Sequence, residues 1–450
     1  MSTPEFATGA PAPPLLARTR EVTDPGDLLS LLPGAGAVMS WVRRGEGIVG
    51  WGEALRIETS GPGRMTEADE AWRRTVARME IDDEVQLPGT GAVAFGSFSF
   101  APYSASGGAL IVPEVVVGRR DGRAWVTHIG AGSPGKNSPG ADFAGTNYAA
   151  TVVEHDRPVI VPGIPAPAAP ATPGQISYSP GALTPQAWQD AVAEVVTRIR
   201  GGEAEKVVLA RDVLARAADE IDARHLLARL AQGYRWCWTF AVDGLLGATP
   251  ELLVRRTGLT ATSRVLAGTI QRSAVARQDA HLGAELRASE KDLGEHALAV
   301  DSLLEGLRPH CESVELPPEP RVLELPNVLH LATDVVASLR TDVPAPSALA
   351  LASALHPTAA VGGTPTGRST EILAEVEQMD RGRYAGPVGW IGADGDGEWG
   401  IALRSGMLTS DPHLIRLFAG CGIVADSEPT AELAESEAKL EPMRWALGQG

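Results

Sequence analysis

Ser289-Glu290-Lys291-Asp292-Leu293-Gly294-Glu295-His296 and, near the C-terminus, Glu432-Leu433-Ala434-Glu435-Ser436-Glu437-Ala438-Lys439 are the stretches on which the reading of this chain turns. Each carries two acids at i and i+3, and on a helix that spacing puts both carboxylates on one face. Two such faces could close around one hard cation. Magnesium takes oxygen ligands in octahedral geometry, keeps several waters, and usually binds one or two carboxylates plus an anionic substrate. On spacing alone the plainer reading, a solvated helix face, is the stronger. The rest of the chain has to decide.

A chain of 450 residues exceeds the size at which one simple core keeps growing, so two or three units or one large composite domain are expected. A formal charge of -17 argues against nucleic acid or an anionic membrane surface as the main partner. An anionic substrate would need local positive charge. Residues 1–14 read MSTPEFATGAPAPP, with no basic segment followed by an apolar run, and no stretch approaches about 18 uninterrupted apolar residues. A cytoplasmic protein is expected. Cys237, Cys311 and Cys421 have neither disulfide-framework nor zinc spacing and read as free thiols. Lysine occurs only at Lys136, Lys206, Lys291 and Lys439. Arginine keeps its proton in a protein whereas lysine can become a neutral base, so the placement of these few lysines is suggestive.

Along the chain, residues 1–30 are rich in Pro, Ala and Thr and are expected to be loosely ordered. Residues 31–157 carry β-rich segments punctuated by glycine, at 37–42, 47–52, 91–100, 109–117 and 124–129. Residues 130–148 read as loop. A Pro-rich connection spans 158–175, with six prolines between Pro158 and Pro173 that no central strand or helix would tolerate. Residues 176–450 follow as a second region. There Thr184-Pro185 starts a helix with an apolar stripe of Trp188, Val192, Val195, Val196 and Ile199, ended by Gly201-Gly202.

Glu205-Lys206-Val207-Val208-Leu209-Ala210-Arg211 reads as a strand whose alternation puts Lys206 on the face of Val208 and Ala210. Most such lysines are strand-end or paired residues. The functional reading is a general base whose proton affinity desolvation has lowered. Glu251, in an apolar turn, reads either as an ordinary loop acid or as an acid that burial suits to donate a proton near neutrality. At Leu266-Ala267-Gly268-Thr269 a bare backbone could approach an anion, and a plain turn explains the segment equally well.

Together these pieces resemble the chorismate-utilising enzymes, and most closely the isochorismate synthases. The motifs are residues 206–211, Ala248-Thr249-Pro250-Glu251-Leu252, Leu266-Ala267-Gly268-Thr269, residues 289–296, His330-Leu331-Ala332-Thr333, His356-Pro357-Thr358-Ala359-Ala360, Arg383-Tyr384-Ala385-Gly386, Ala402-Leu403-Arg404 and residues 419–439. They run in the family's order. Residues 91–100 add a looser match in the N-terminal third.

The resemblance implies an α+β fold, a large two-sheet antiparallel sandwich with outer helices, in which the N-terminal third contributes strands to the same body. It implies a magnesium-dependent conversion of chorismate to isochorismate, water adding at ring C2 while the C4 hydroxyl leaves. Lys206 would activate the water and Glu251 would protonate the leaving hydroxyl. Glu295 and Glu435 match the direct metal ligands, with Asp292 and Glu432 holding metal-bound waters; the shorter Asp292 departs from the glutamate frequent there.

For the enolpyruvyl carboxylate the matching groups are Tyr384, Arg404 and the amides around Gly420 and Gly422. The fork of arginine suits a carboxylate, although a surface cation is the plain reading of Arg404. Gly268, Thr269, Ala360 and Lys439 match further substrate contacts, while Lys291 and Lys439 also stand beside acids and would balance their charge. His330 reads equally as a packed core histidine or as a contact at the ring. Salicylate synthases, which go on to lose pyruvate, and ammonia-using anthranilate or aminodeoxychorismate synthases are the alternatives. Ala360, where salicylate synthases tend to carry threonine, and Leu331-Ala332 favour the isochorismate synthases. A monomer without a glutaminase subunit is expected.

Overall fold

A strand buried on both faces needs a layer on each side, and Lys206–Ala217 is one, its first eight residues all buried. The computed structural model describes residues 14–34, 37–131, 149–154, 157–162, 169–273, 276–326 and 328–448. In it, Val207 and Leu209 share an apolar cluster with Trp188, Val192 and Val195 of helix Pro185–Arg200 and with Ile372 and Leu373 of helix Thr366–Val376. Val208 and Ala210 line a pocket on the opposite face, as the alternation requires. Helix Pro185–Arg200 starts and stops as its sequence predicts: Thr184 Oγ1 accepts from the Ala187 amide at 3.2 Å, and Gly201 is the C-cap.

Two large sheets stack face to face. In the thirteen-stranded sheet Lys206–Ala217 lies between Ile176–Pro180 and Leu414–Ile423, and the order continues through Ser405–Leu408, Leu245–Thr249 and Trp238–Val242 to Val38–Arg43 and Glu46–Trp51. The ten-stranded sheet places Val328–Leu339, Thr260–Gln271, Leu252–Thr257, Gly397–Ile401, Pro387–Gly392 and Val93–Phe98 side by side. Strands before residue 131 therefore pair in both sheets with strands after 206, at Thr239 with Val42 and at Gly389 with Gly96. Between the layers Trp41, Trp125 and Phe240 of the larger sheet meet Phe95 and Trp390 of the smaller. Helices Ala223–Gly233 and Pro429–Ala446 cover the outside of the larger sheet, and Arg64–Val76, Glu290–Leu307 and Ala348–Leu355 that of the smaller. This is the α+β sandwich expected from the resemblance.

One expectation from composition fails. Residues 15–30 are not loosely ordered: Leu15–Val22 is a strand paired with Arg123–Ala131 on one side and Glu80–Asp83 on the other, and residues 28–31 form a 3-10 turn with three buried leucines. Proline and alanine content hid the alternation that buries Ala17 and Thr19. The Pro-rich connection begins in the strand Arg157–Pro162, which is no central strand: it pairs with Ala149–Glu154 in a two-stranded ribbon outside both sheets. A ribbon strand has a free edge, where a missing N–H costs nothing. Residues 1–13, 132–148 and 163–168 lie outside the described residues.

Two of the chain's passages from one sheet to the other lie side by side. Pro250-Glu251 links Leu245–Thr249 of the larger sheet to Leu252–Thr257 of the smaller, and residues 402–404 lead back from Gly397–Ile401 to Ser405–Leu408. The two crossings are tied by the Ile401 amide donating to the Glu251 carbonyl at 3.3 Å and the Ala248 amide donating to the Arg404 carbonyl at 3.2 Å. Crossing residues leave the regular ladder, and Arg404 takes a φ of 50°, a conformation uncommon for a residue with a side chain. Both crossings bring a functional side chain to the same pocket.

Candidate active site

Helix Glu290–Leu307 is capped by Ser289, whose hydroxyl accepts from the Asp292 amide at 3.2 Å. Pro429 opens helix Pro429–Ala446 at its first turn. Both acid pairs thus fall in the first two turns of a helix, where the backbone dipole favours negative charge. The spacing had put them on one face, and the structure adds that both helices start at the pocket. Asp292, Glu295, Glu432 and Glu435 all line one cavity of about 110 Å3, together with Glu251, Thr269, His330, Ala360, Tyr384, Arg404, Gly420, Gly422 and Lys439.

Lys206 is 1% exposed and its Nζ lies 2.8 Å from Glu295 Oε1. Sequence reading had given these two residues separate roles, base and metal ligand, and the structure pairs them. Burial raises the Glu295 carboxyl, but the Lys206 ammonium outweighs it and holds the group below its usual range. Gly422 makes room for the pair: a Cβ there would lie 2.8 Å from both Glu295 Oε1 and Lys206 Cε. Gly422→Ala is therefore expected to displace both side chains and cost about 10²-fold in kcat/KM with little change in Tm. Steady-state kinetics beside a thermal melt check this, and near-native kinetics would mean the pair has slack.

Across the pocket, Glu251 is 5% exposed, and burial pushes its carboxyl up to about 8 against the weaker pull of Lys206 and Arg404. It stays protonated at neutrality, as its apolar turn suggested. Arg404 Nη2 donates to His330 Nε2 at 3.2 Å, and His330 Nδ1 meets Thr269 Oγ1 at 2.9 Å. Arginine can only donate, so Nε2 accepts and the imidazole proton sits on Nδ1 toward Thr269. Burial and then Arg404 hold His330 well below its ordinary range. The histidine is thus both buried and a wall of the pocket, joining two residues that the sequence singled out separately. Tyr384 stacks flat on Phe418, ring centroids 5.0 Å apart.

Gly268 does not face the cavity. It sits at an irregularity in the pairing of Thr260–Gln271 with Val328–Leu339, with φ at 76°, and a Cβ there would come within 3.1 Å of Asp292 Cβ. Its role is to let the start of helix Glu290–Leu307 approach the sheet. His296 fastens the same helix, its Nδ1 donating to the Ala267 carbonyl at 3.2 Å and its Nε2 meeting Thr333 Oγ1 at 2.8 Å.

The donor set suits a hard cation. Among the described residues the tightest group of possible ligand atoms is Cys421, Glu432 and Glu435, within 4.8 Å of one another. The Cys421 thiol is spent on the Glu432 carbonyl at 3.3 Å, which leaves carboxylate oxygens. Burial first, and then Glu435, pushes Glu432 up to about 7. Asp292 is likewise raised by burial, with further contributions from Glu295 and Glu435. Such mutual repulsion is what a divalent ion would offset. Lys439 Nζ lies 2.5 Å from Glu435 Oε1 and donates to the Gly420 carbonyl at 2.9 Å; burial lowers it, but Glu435 outweighs this and raises it. It balances charge, as expected beside an acid.

Sequence reading missed Glu377 and Arg381, a buried pair at i and i+4 in which Arg381 Nε donates to Glu377 Oε2 at 2.9 Å. Arg381 lines the pocket and caps the carbonyls of Val208 and Val361, while Glu377 Oε1 accepts from the Ala210 amide at 2.7 Å. The pair fixes the strand that presents Lys206. Its i, i+4 spacing was visible, but such pairs are commonplace on helix surfaces.

A family model described as chorismate binding enzyme matches residues 35–448. Isochorismate synthase MenF of Bacillus subtilis is 32% identical over 423 residues, covering 89% of this chain and 85% of that protein. Isochorismate synthase DhbC of the same organism is 38% identical over 275 residues, 59% of this chain and 68% of DhbC. Among solved structures, the menaquinone-specific isochorismate synthase MenF of Escherichia coli aligns with a TM-score of 0.74 at 24% identity, covering 98% of this chain and 97% of that one. Anthranilate synthase component I of Streptococcus pneumoniae aligns at 0.64 and 19% identity, over 89% of this chain and 92% of its own; at such identities these two likenesses bear on the fold alone. With a family model spanning most of its length and the family's motifs gathered in one pocket, the chain belongs to the chorismate binding enzymes.

Proposed function

We propose that this chain converts chorismate to isochorismate. The observation that carries the reading is a pocket lined by a carboxyl that stays protonated to about pH 8, by Arg404 and by an acid cluster, one of whose members, Glu295, is paired with the buried Lys206 behind it. Lys206 acts as the general base toward the water that bonds to ring C2, taking up its proton. The two ring double bonds shift, and the C4 hydroxyl leaves as water with a proton from Glu251. Acceptor and donor have to be separate groups, because bond formation and bond cleavage occur at different ring carbons. Water enters and water leaves, so the product is an isomer.

Arg404, oriented by His330, and Tyr384 bind the enolpyruvyl carboxylate, with the amides near Gly420 and Gly422. Magnesium, held by Glu295 and Glu435 with Asp292 and Glu432 acting through water, would supply a Lewis acid that orients and neutralises the ring carboxylate. Incubation with chorismate and magnesium, with and without ammonium, tests the reading by chromatography and mass spectrometry. Isochorismate alone is expected in both. Pyruvate with salicylate would point to a salicylate synthase, an amino product to an ammonia-using enzyme, and no turnover would remove the assignment.

The pH dependence follows from Glu251. Its acid form is the active one, so kcat falls as pH rises through about 8. Stability moves the same way: a carboxyl raised on folding contributes fully below its unfolded range and loses that contribution as pH rises through the folded value. Glu251→Gln has no charge to bury, so its Tm should gain on that of the wild type between about pH 5 and about pH 8. A constant difference in Tm across that range would show that Glu251 is not held protonated.

A further inference from the structure

Four cations line the active-site cavity, and three of them are occupied. Arg381 is spent on Glu377 and on the carbonyls of Val208 and Val361, Lys439 on Glu435 and the Gly420 carbonyl, and Arg404 meets His330. The fourth, Lys291, is exposed. Among the described residues it has no hydrogen bond and no carboxylate within ion-pair distance.

Its place on the helix does not account for it. Ser289 caps Glu290–Leu307, so Lys291 stands in the first turn, where the backbone dipole disfavours a cation. The acid four residues on, Glu295, would be its natural partner on a helix face. That carboxylate is taken by Lys206 at 2.8 Å. Lysine is also scarce here, four residues among 39 basic ones. Its ammonium is a compact point charge on a flexible stem, suited to meeting an incoming anion.

The field of Lys291 shows which end of the pocket it serves. Burial is the first influence on the carboxyls of Asp292, Glu295 and Glu432, and Lys291 is among the cations that draw each of them down. Glu251 is governed by burial too, but the cations drawing on it are Lys206, Arg404 and Lys439. Lys291 therefore stands on the solvent side of the acid end, across the pocket from Glu251. A chain of net charge -17 repels a dianion at long range, so a cation at the entrance has a large effect on its capture.

We propose that Lys291 captures the substrate, its ammonium meeting the ring carboxylate of chorismate at the mouth of the pocket. The inference rests on the chorismate reading above and deepens it: the enolpyruvyl carboxylate goes to Arg404, the ring carboxylate to Lys291 on its outer side. An ion pair at this exposed end is made equally in the ground state and the transition state, so it strengthens binding and leaves the chemical step alone.

Steady-state kinetics of Lys291→Gln at saturating magnesium test this. KM for chorismate is expected to rise about tenfold with kcat within about twofold of wild type, and Lys291→Arg should keep KM near the wild-type value. Raising salt from about 50 mM to about 300 mM should lower kcat/KM more steeply in the wild type than in Lys291→Gln. The side chain has no partner to lose, so Tm should not move. Calorimetry of chorismate into Glu251→Gln, with and without Lys291→Gln, reads the same loss without turnover, as an affinity about tenfold weaker in the double variant. Combined with Arg404→Lys, the loss in kcat/KM should add, because separate carboxylates are affected. Unchanged KM and chorismate affinity in Lys291→Gln, or a loss confined to kcat, would overturn the capture role. Non-additivity with Arg404→Lys would overturn the assignment to the ring carboxylate. Wild type that binds chorismate through Lys291 but turns none over would remove the proposed reaction and leave this inference standing.

Discussion

Lys206→Ala and Glu251→Gln are each expected to lower kcat for chorismate by about 10³-fold, within the usual range for loss of one proton-transfer group. Chorismate binding should stay measurable by calorimetry, because neither residue is assigned to a carboxylate of the substrate. The two variants fail differently. Glu251→Gln keeps the shape of the side chain and removes only the proton donor, so its loss should be independent of pH up to about 8. Lys206→Ala also deprives Glu295 of the ammonium 2.8 Å away, so its carboxylate should return toward its ordinary range. Full activity in either variant would refute the role of that residue.

The second large effect concerns the acids. Glu295→Gln and Glu435→Gln are expected to weaken magnesium binding by about 10²-fold or more, and Asp292→Asn and Glu432→Gln by less, since groups acting through water typically cost about 10- to 100-fold. Calorimetric titration of magnesium into each variant gives this ranking directly. Glu435→Gln leaves the Lys439 ammonium without its partner at 2.5 Å, so a thermal melt belongs beside the titration. Magnesium affinity unchanged in Glu435→Gln, or a larger loss in Asp292→Asn than in Glu295→Gln, would reverse the assignment of direct ligands.

Much of this site was legible because its chemistry is carried by short local patterns. The i, i+3 acids, the alternation around Lys206 and the apolar turn at Glu251 each depend on a few neighbours in sequence. Relations between distant segments were not legible. Nothing local says that Glu295 would sit on Lys206, or that Arg404 would be held by His330, because those contacts follow from the register of long-range sheet pairing. The same applies to the two crossings that place Glu251 and Arg404 side by side. Leu15–Val22 was misjudged for a related reason: its strand is specified by partners about 60 and 110 residues away more than by its own composition. The resemblance supplied the sandwich, where periodicity alone would have left a series of glycine-punctuated strands without an arrangement.

The fold also explains why helix starts matter here. An acidic protein that binds a dianionic substrate must hold four carboxylates near two more, and both helices that carry the acids begin at the pocket. Their dipoles, Lys439 and Arg404 each offset part of that charge. The remaining excess, visible in the raised Glu432 and Asp292 carboxyls, is what the proposed divalent cation would offset.

Turnover of chorismate in oxygen-18 water, with magnesium present and the product examined by mass spectrometry and carbon NMR, tests the central claim most directly. The account predicts isochorismate with one heavy oxygen, bonded to C2, and none at any other ring carbon, with this labelled product forming about 10³-fold more slowly when Glu251→Gln or Lys206→Ala replaces the wild type. Isochorismate formed without solvent oxygen at C2 would contradict it, since the hydroxyl would then have migrated within the substrate and no water would have been activated.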